Sequence, residues 1–135
     1  MTFSAQFLRF CMVGTIGFVV DAGTLHVMVE VFSGGPYDSR VLSFLVAATA
    51  TWALNRRFTF RSSVAHRARA RQWGLYVTVN AMGGAVNYGV YALCVHGSQL
   101  VSSYLFLGVA AGSLAGLLVN FLASKFLVFR TAAVS

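Results

Sequence analysis

The sequence predicts an all-α membrane protein: four transmembrane helices form two parallel-repeat helical hairpins, with both termini cytoplasmic. Composition, the length of the apolar runs and a one-sided distribution of basic residues support this. Of the 135 residues, 58% are apolar and 10% charged, whereas a soluble domain has about 25% charged residues. A soluble fold of this size cannot hide so much apolar surface from water. At ~20 residues per crossing, four spans fill a single membrane domain, residues 1–135.

The first two spans are predicted from apolar runs on either side of a turn. The first run, Phe10 to Phe32, can cross a bilayer as a retained helix, since a cleavable signal peptide has a shorter apolar region and a richer basic start. The second run, 41–54, reaches full length only if the helix continues to about residue 60. Arg56 and Arg57 then lie about a turn inside the membrane edge, and their guanidinium groups extend to the headgroups.

The third and fourth spans form a second hairpin. The third run covers Trp73 to Val95, residues 96–99 form a polar turn, and the fourth run extends from about residue 103 to Phe129. Glycines recur at every fourth position of the fourth span and indicate close packing against another helix. They are Gly108, Gly112 and Gly116.

Lysine and arginine set the orientation, because basic residues flanking the spans stay in the cytoplasm. Only Arg40 falls on the outer side. The inner side holds Arg9, Arg56, Arg57, Arg61, Arg67, Arg69, Arg71, Lys125 and Arg130. We therefore expect a multi-pass protein of the cell (inner) membrane with both termini cytoplasmic. This topology explains the net charge of +7 without a nucleic-acid partner.

The chain matches itself at two shifts. A shift of 66 residues aligns Gln6, Phe10 and Val13 with Gln72, Tyr76 and Val79, and a shift of 69 aligns Asn55-Arg56 with Ser124-Lys125. Repeat one therefore covers about residues 6–61 and repeat two about 72–130, as parallel repeats. The duplication either preserved packing residues or built a pseudo-symmetric polar site between the hairpins.

Polar side chains within the spans are candidates for a headgroup path. Asp21 is expected near the bilayer midplane, where an acid is a functional hypothesis by default; a hydrogen-bonded helix fastener is the alternative. Its partners are expected among the asparagines. Asn55 and Asn120 can bind a sugar hydroxyl or a phosphate oxygen, or only link helices. The full candidate path is Asp21, Asn55, Asn80, Asn87 and Asn120.

Two sets of cations are candidates for binding anions. Arg56, Arg57 and Lys125 are expected at headgroup level, where desolvated cations suit a lipid phosphate, unless they serve topology alone. A second set suits anionic lipid or an acidic partner surface, or again only topology. It comprises Arg61, Arg67, Arg69 and Arg71.

The sequence predicts no enzyme and no cofactor. It shows no Ser/His/Asp arrangement, no metal-ligand spacing and no phosphate-binding glycine loop. Cys11 and Cys94 fall inside apolar runs, so no structural disulfide is expected.

Three motifs make the chain similar to the GtrA-like family. They are Phe-Leu-Arg-Phe with Val-Gly at 7–10 and 13–14, Asn-Arg-Arg-Phe-Thr-Phe at 55–60, and Asn-Phe-Leu-Ala-Ser-Lys-Phe-Leu-Val-Phe at 120–129. The resemblance covers nearly the whole chain, although the family often has Trp at the place of Phe58 and a second basic residue at the place of Phe126. It implies a flippase for polyprenyl-phosphate-linked sugar in cell-surface polysaccharide synthesis, working beside a membrane glycosyltransferase. Four helices make a thin wall, which favours a homodimer or a complex with the transferase.

Two other functions stay open. One is a non-transporting membrane anchor that recruits a glycosyltransferase through the arginine-rich loop. The other is a small multidrug-resistance-like exporter, which also has four helices and an acid in the first span. Such exporters normally use a glutamate and antiparallel dimers, whereas the charge bias here fixes one orientation.

Overall fold

The computed structural model describes residues 2–61 and 68–130, and this part of the chain is helical without strands. The helices are α1 (Phe3–Glu30), α2 (Pro36–Leu54), α3 (Arg69–Gly97), the short α4 (Gln99–Ser103) and α5 (Leu105–Ala123). Two π-helical segments, Asn55–Thr59 and Ser124–Val128, extend α2 and α5 directly.

Local capping explains where several helices begin. Thr2 accepts a hydrogen bond from the Ala5 amide at 3.2 Å and starts α1. α2 starts with Pro36, whose fixed φ suits the first helical turn, and Asp38 lies in the same turn near the positive end of the helix dipole. The Ser98 hydroxyl accepts from the Val101 amide at 3.4 Å and starts α4.

Two helices begin before their apolar runs, whereas α1 ends at Glu30, before the end of its run at Phe32. α1 begins seven residues before Phe10, and α3 begins at Arg69. Arg69 and Arg71 therefore lie in the first turn of a helix, which corrects their expected place in a loop. Arginine and glutamine are good helix formers, so the helix continues after the apolar pattern ends. Residue 99, expected in the polar turn, opens α4.

Two helices of the described chain are long and apolar enough to cross a membrane by length and composition. They are α1, with a mean hydropathy of 1.6, and the segment Leu105–Val128, with 2.0. α2 and α3 do not meet the same criteria.

The helices pack as two hairpins, α1 against α2 and α3 against α5, and the hairpins meet mainly through α2 and α3. We call the end where α1 and α3 begin and the π-helical segments finish the basic end, and the opposite end the loop end. A cluster of buried aromatic side chains joins both hairpins at the basic end. The Phe60 and Phe129 rings stack there, with centroids 4.9 Å apart, and the Phe121 ring contacts the Phe10 ring at 5.4 Å.

Buried positions recur at the two spacings of the sequence. The buried residues of α1 are Phe10, Val13 and Gly17, and the residues 66 positions later, Tyr76, Val79 and Gly83, are buried in α3. The π-helical segments lie 69 positions apart. In each segment, a backbone N–H donates to the carbonyl oxygen five residues earlier at 2.8 Å. The pairs are Phe60 N with Asn55 O and Phe129 N with Ser124 O.

The glycine stripe of α5 faces α3. A β-carbon added at Gly116 would lie 2.8 Å from the carbonyl oxygen of Gly83 and 3.0 Å from the Cβ of Asn87. Gly112 likewise lies against the backbone of Asn87, and Gly108 against the ring of Tyr91. The stripe therefore closes a contact within the chain.

Candidate functional site

A cavity of about 240 Å³ lies between the two hairpins and receives side chains from α1, α2, α3 and α5. We call it the central cavity. Four of the five side chains of the predicted headgroup path line it: Asp21, Asn55, Asn80 and Asn120. Thr51 and Tyr76 add hydroxyl groups, and the remaining lining is apolar apart from glycines.

A buried hydrogen-bond network forms the wall of the central cavity at its basic end. The Asn55 side-chain amide donates to the Tyr76 hydroxyl at 2.8 Å, and the Thr59 hydroxyl donates to Asn55 Oδ1 at 2.9 Å. The Asn80 amide donates to the Tyr76 carbonyl oxygen at 2.8 Å. Asn55 is only 1% exposed. It therefore links α2 to α3, which fits the expectation of an interhelical hydrogen bond.

The side-chain oxygen of Asn120, Oδ1, is buried, and the described residues offer it no hydrogen-bond donor. The side chain lies against Gly83, where a β-carbon would collide with it. Asn120 lines the central cavity, so a rotation of its side chain away from Gly83 would present this oxygen as an acceptor to a bound hydroxyl.

Asn87 does not line the central cavity. It lies between α3 and α5, with its Cβ against Gly116 and its backbone against Gly112. Asn80, seven residues earlier, nevertheless reaches the cavity. The difference arises because Gly112 and Gly116 bring α5 onto α3 at the level of Asn87 and leave no space there.

The partner of Asp21 is Arg40, whereas the sequence suggested an asparagine. Arg40 Nη1 donates to Asp21 Oδ1 at 2.5 Å and to the Ser43 hydroxyl at 3.1 Å. The Arg40 side chain is 54% exposed and that of Asp21 24%. Sequence reasoning missed this ion pair, although both signals were present: one acid in the first span, and one basic residue on the outer side of the neighbouring span.

A second cavity, of about 410 Å³, lies at the basic end and carries the strongest positive charge of the site. We call it the cationic pocket. It is lined by Trp52, Ala53, Arg56, Arg57, Arg61 and Arg69. Among the described residues, four arginines line this pocket and no carboxylate does.

Trp52 organises the cationic pocket. Its indole N–H donates to Gln72 Oε1 at 3.2 Å and so connects α2 to α3. The guanidinium of Arg56 lies 5.7 Å from the centre of the Trp52 ring, within cation–π range. The pocket wall is therefore tied to both hairpins.

The cationic pocket combines members of both predicted sets and omits others. Lys125 lies elsewhere: its Nζ donates to Gln6 Oε1 at 2.6 Å and stands 4.7 Å from the Phe3 ring, beside α1. Arg71 is exposed and does not line the pocket, because residues two positions apart on a helix face different directions. Arg67 lies outside the described residues.

An apolar groove of about 440 Å³ lies between α1 and the end of α2, and sequence reasoning missed it. It is lined by Arg9, Met12, Val13, Ile16, Leu54 and Phe58. Arg9 donates to the Phe58 carbonyl oxygen at 2.9 Å, and the Arg57 guanidinium lies 5.8 Å from the Phe58 ring centre. The groove and the cationic pocket therefore adjoin through Arg57 and Phe58.

One comparison with known proteins identifies a family. The family profile described as "GtrA/DPMS, transmembrane domain" matches residues 9–129. No curated protein sequence matches the chain.

Proposed function

Because the chain belongs to the GtrA/DPMS transmembrane-domain family, which connects it with glycan synthesis, we propose that it is a flippase for polyprenyl-phosphate-linked sugar. In this proposal α1, α2, α3 and α5 each cross the membrane, and the hairpins of residues 6–61 and 72–130 are duplicated units. Both termini are cytoplasmic, so the basic end lies at the inner leaflet. A membrane glycosyltransferase supplies the lipid-linked sugar there.

The observation that carries the proposal is the cationic pocket. Each of its arginines offers five N–H donors in a planar fork that matches phosphate oxygens. Four such groups, with no carboxylate among the described lining residues, favour an anion over a neutral sugar. Arg56 and Arg57 retain their proposed phosphate-binding role, Arg61 and Arg69 join them, and the distant Lys125 does not.

The apolar groove supports a lipid phosphate over a soluble one. Its lining is aliphatic and aromatic apart from Arg9. A prenyl chain that moves from the lipid acyl chains into the groove therefore keeps apolar surroundings, and the transfer costs little free energy. Arg57 and Phe58 lie at the border of the groove and the cationic pocket. A single amphiphile can therefore place its phosphate in the pocket and its first isoprenoid units in the groove.

The central cavity is the proposed route of the sugar headgroup. Sugar hydroxyls lose hydrogen bonds to water inside a membrane, and each unpaired polar group costs several kcal/mol, about 2–7. Asp21, Asn80 and Asn120 line the cavity with donors and acceptors. The described lining residues of the cavity and of the cationic pocket do not overlap, so the headgroup can pass only if contacts between the hairpins at this wall, such as the Asn55–Tyr76 hydrogen bond, open.

The test compares two neighbouring arginines. Purified protein is reconstituted into liposomes, and uptake of radiolabelled geranylphosphoryl glucose is measured for the wild type, Arg69→Gln and Arg71→Gln. We expect Arg69→Gln to lower the initial rate about tenfold or more, since a charge-assisted hydrogen bond contributes about 1.5–3 kcal/mol. Arg71→Gln, with the same charge change outside the pocket, should transport normally. A wild type no faster than protein-free liposomes, or equal loss in both variants, would contradict the proposal.

The second candidate, a glycosyltransferase anchor, is favoured by the exposure of Arg71, which lines none of these cavities. An anchor should lose co-purification with the transferase when Arg71 is replaced, and its wild type should transport nothing in liposomes. Normal transferase recruitment by Arg71→Gln would contradict this alternative.

A further inference from the structure

The ion pair at the loop end suggests a further binding site, and this inference rests on the proposed function. We propose that Arg40 is a second phosphate-binding residue, on the exit side. Asp21 is the carboxylate that occupies its guanidinium until the lipid phosphate replaces it.

The direction of the Arg40 side chain is the first observation. Arg40 lies one turn into α2, close to the loop end, where arginine side chains usually extend outward to the headgroups. Here the guanidinium turns inward, since it contacts Ser43, a turn deeper along α2, and Asp21 of α1. An arginine that pairs with an acid on a neighbouring helix within the proposed membrane domain is a functional hypothesis by default.

The second observation is the place of the pair relative to the central cavity. Asp21 lines this cavity, so the Arg40 guanidinium lies at the loop end of the proposed headgroup route. Arg56 and Ser43 are thirteen residues apart on one continuous helix, a separation of about 20 Å. Within residues 2–61 and 68–130, Arg40 is the only Lys or Arg at the loop end. A phosphate that leaves the cationic pocket meets its next cation at Arg40.

The exchange itself is chemically balanced. A guanidinium fork binds a carboxylate and a phosphate oxygen pair in the same geometry. The phosphodiester of a prenyl phosphate sugar carries one negative charge, as the Asp21 carboxylate does, so Arg40 stays neutralised while one anion replaces the other. The Arg40 side chain is 54% exposed, which leaves it accessible to an incoming phosphate. When Asp21 pairs with Arg40 again, it displaces the phosphate and releases the lipid.

The experiment uses the full chain in liposomes with radiolabelled geranylphosphoryl glucose as the probe. The variants are Arg40→Gln, Asp21→Asn and the neutral double variant, and Arg130→Gln, exposed at the basic end, is the matched control. We expect Arg40→Gln to slow uptake about tenfold or more, as for loss of one charge-assisted hydrogen bond. Asp21→Asn should lower the half-saturating probe concentration, because the competing carboxylate is gone. The double variant should be as slow as Arg40→Gln.

A purely structural ion pair gives a different pattern. Both single variants would then be slow, because each leaves one charge unpaired, and the double variant would transport as the wild type does. That pattern, or unchanged uptake by Arg40→Gln beside an active wild type, overturns the exit site alone. An inactive wild type overturns the proposed function and the exit site with it. If Arg40→Gln does not elute as a folded species in size-exclusion chromatography, the double variant, which has no unpaired charge, decides.

Discussion

Replacing Gly116 by alanine tests whether the glycine stripe sets the distance between α3 and α5. The added β-carbon would lie 2.8 Å from the carbonyl oxygen of Gly83 and 3.0 Å from the Cβ of Asn87, whereas ordinary contacts begin near 3.4 Å. Neither neighbour is the flexible end of a side chain. The helices must therefore move apart by about half an ångström, which loosens the packing along the whole stripe.

The expected loss can be isolated with Gly84→Ala, a matched control in α3. A β-carbon at Gly84 has no neighbour within 4 Å. Both substitutions gain about 0.5–1 kcal/mol of helix stability from the alanine, so their difference reports the contact alone. Overpacking a tight contact costs about 1–3 kcal/mol. Gly116→Ala should therefore have a free energy of unfolding lower than that of Gly84→Ala by this amount.

The assay is denaturant unfolding of the purified protein in detergent micelles, followed by far-ultraviolet circular dichroism. Equal free energies of unfolding for Gly116→Ala and Gly84→Ala would refute the reasoning. They would mean that α5 does not approach α3 as closely as the contact at Gly116 requires.

Three other substitutions test the same geometry. Asn55→Ala should lower the free energy of unfolding by about 1–3 kcal/mol, because it removes the donor to the buried Tyr76 hydroxyl; unchanged stability in the micelle assay would contradict the network. Gly83→Ala should lower the free energy of unfolding by displacing the Asn120 side chain, and adding Asn120→Ala should recover part of that stability. A double variant less stable than Gly83→Ala alone would contradict this. A cysteine at Ser33, in a chain without its native cysteines, should react with an impermeant maleimide on intact cells; protection would contradict the proposed orientation.

The helices were largely predictable because their apolar runs are long. A backbone in lipid must satisfy its own hydrogen bonds, so a run such as 103–129 has few options besides a helix. The ends were less predictable, since polar helix formers such as Arg69 and Arg71 extend α3 beyond the apolar pattern. The π-helical segments left no signal in hydropathy, because they change hydrogen bonding and not composition.

The site was predictable in its residue types and less so in its partners. Most of the polar path does line one cavity, yet Asp21 pairs with Arg40, and Lys125 lies beside Gln6. Which side chains meet depends on how far each helix is rotated about its axis. Contacts such as that of Gly116 with Gly83 set this rotation, and a sequence pattern on a single helix does not contain it.

The paired π-helical segments make the basic end sensitive to chain length. Each π turn contains one residue more than a turn of α-helix. Because every residue of a helix turns the chain by about 100°, removing one residue rotates the remainder of the helix by about that angle. Deleting one residue between Asn55 and Thr59 would swing Phe60 away from Phe129 and point Arg61 out of its pocket. Point substitutions leave this geometry largely in place. Substitutions can therefore change the side chains at this end without moving its helices, whereas the insertion or deletion of a single residue reorients everything that follows it.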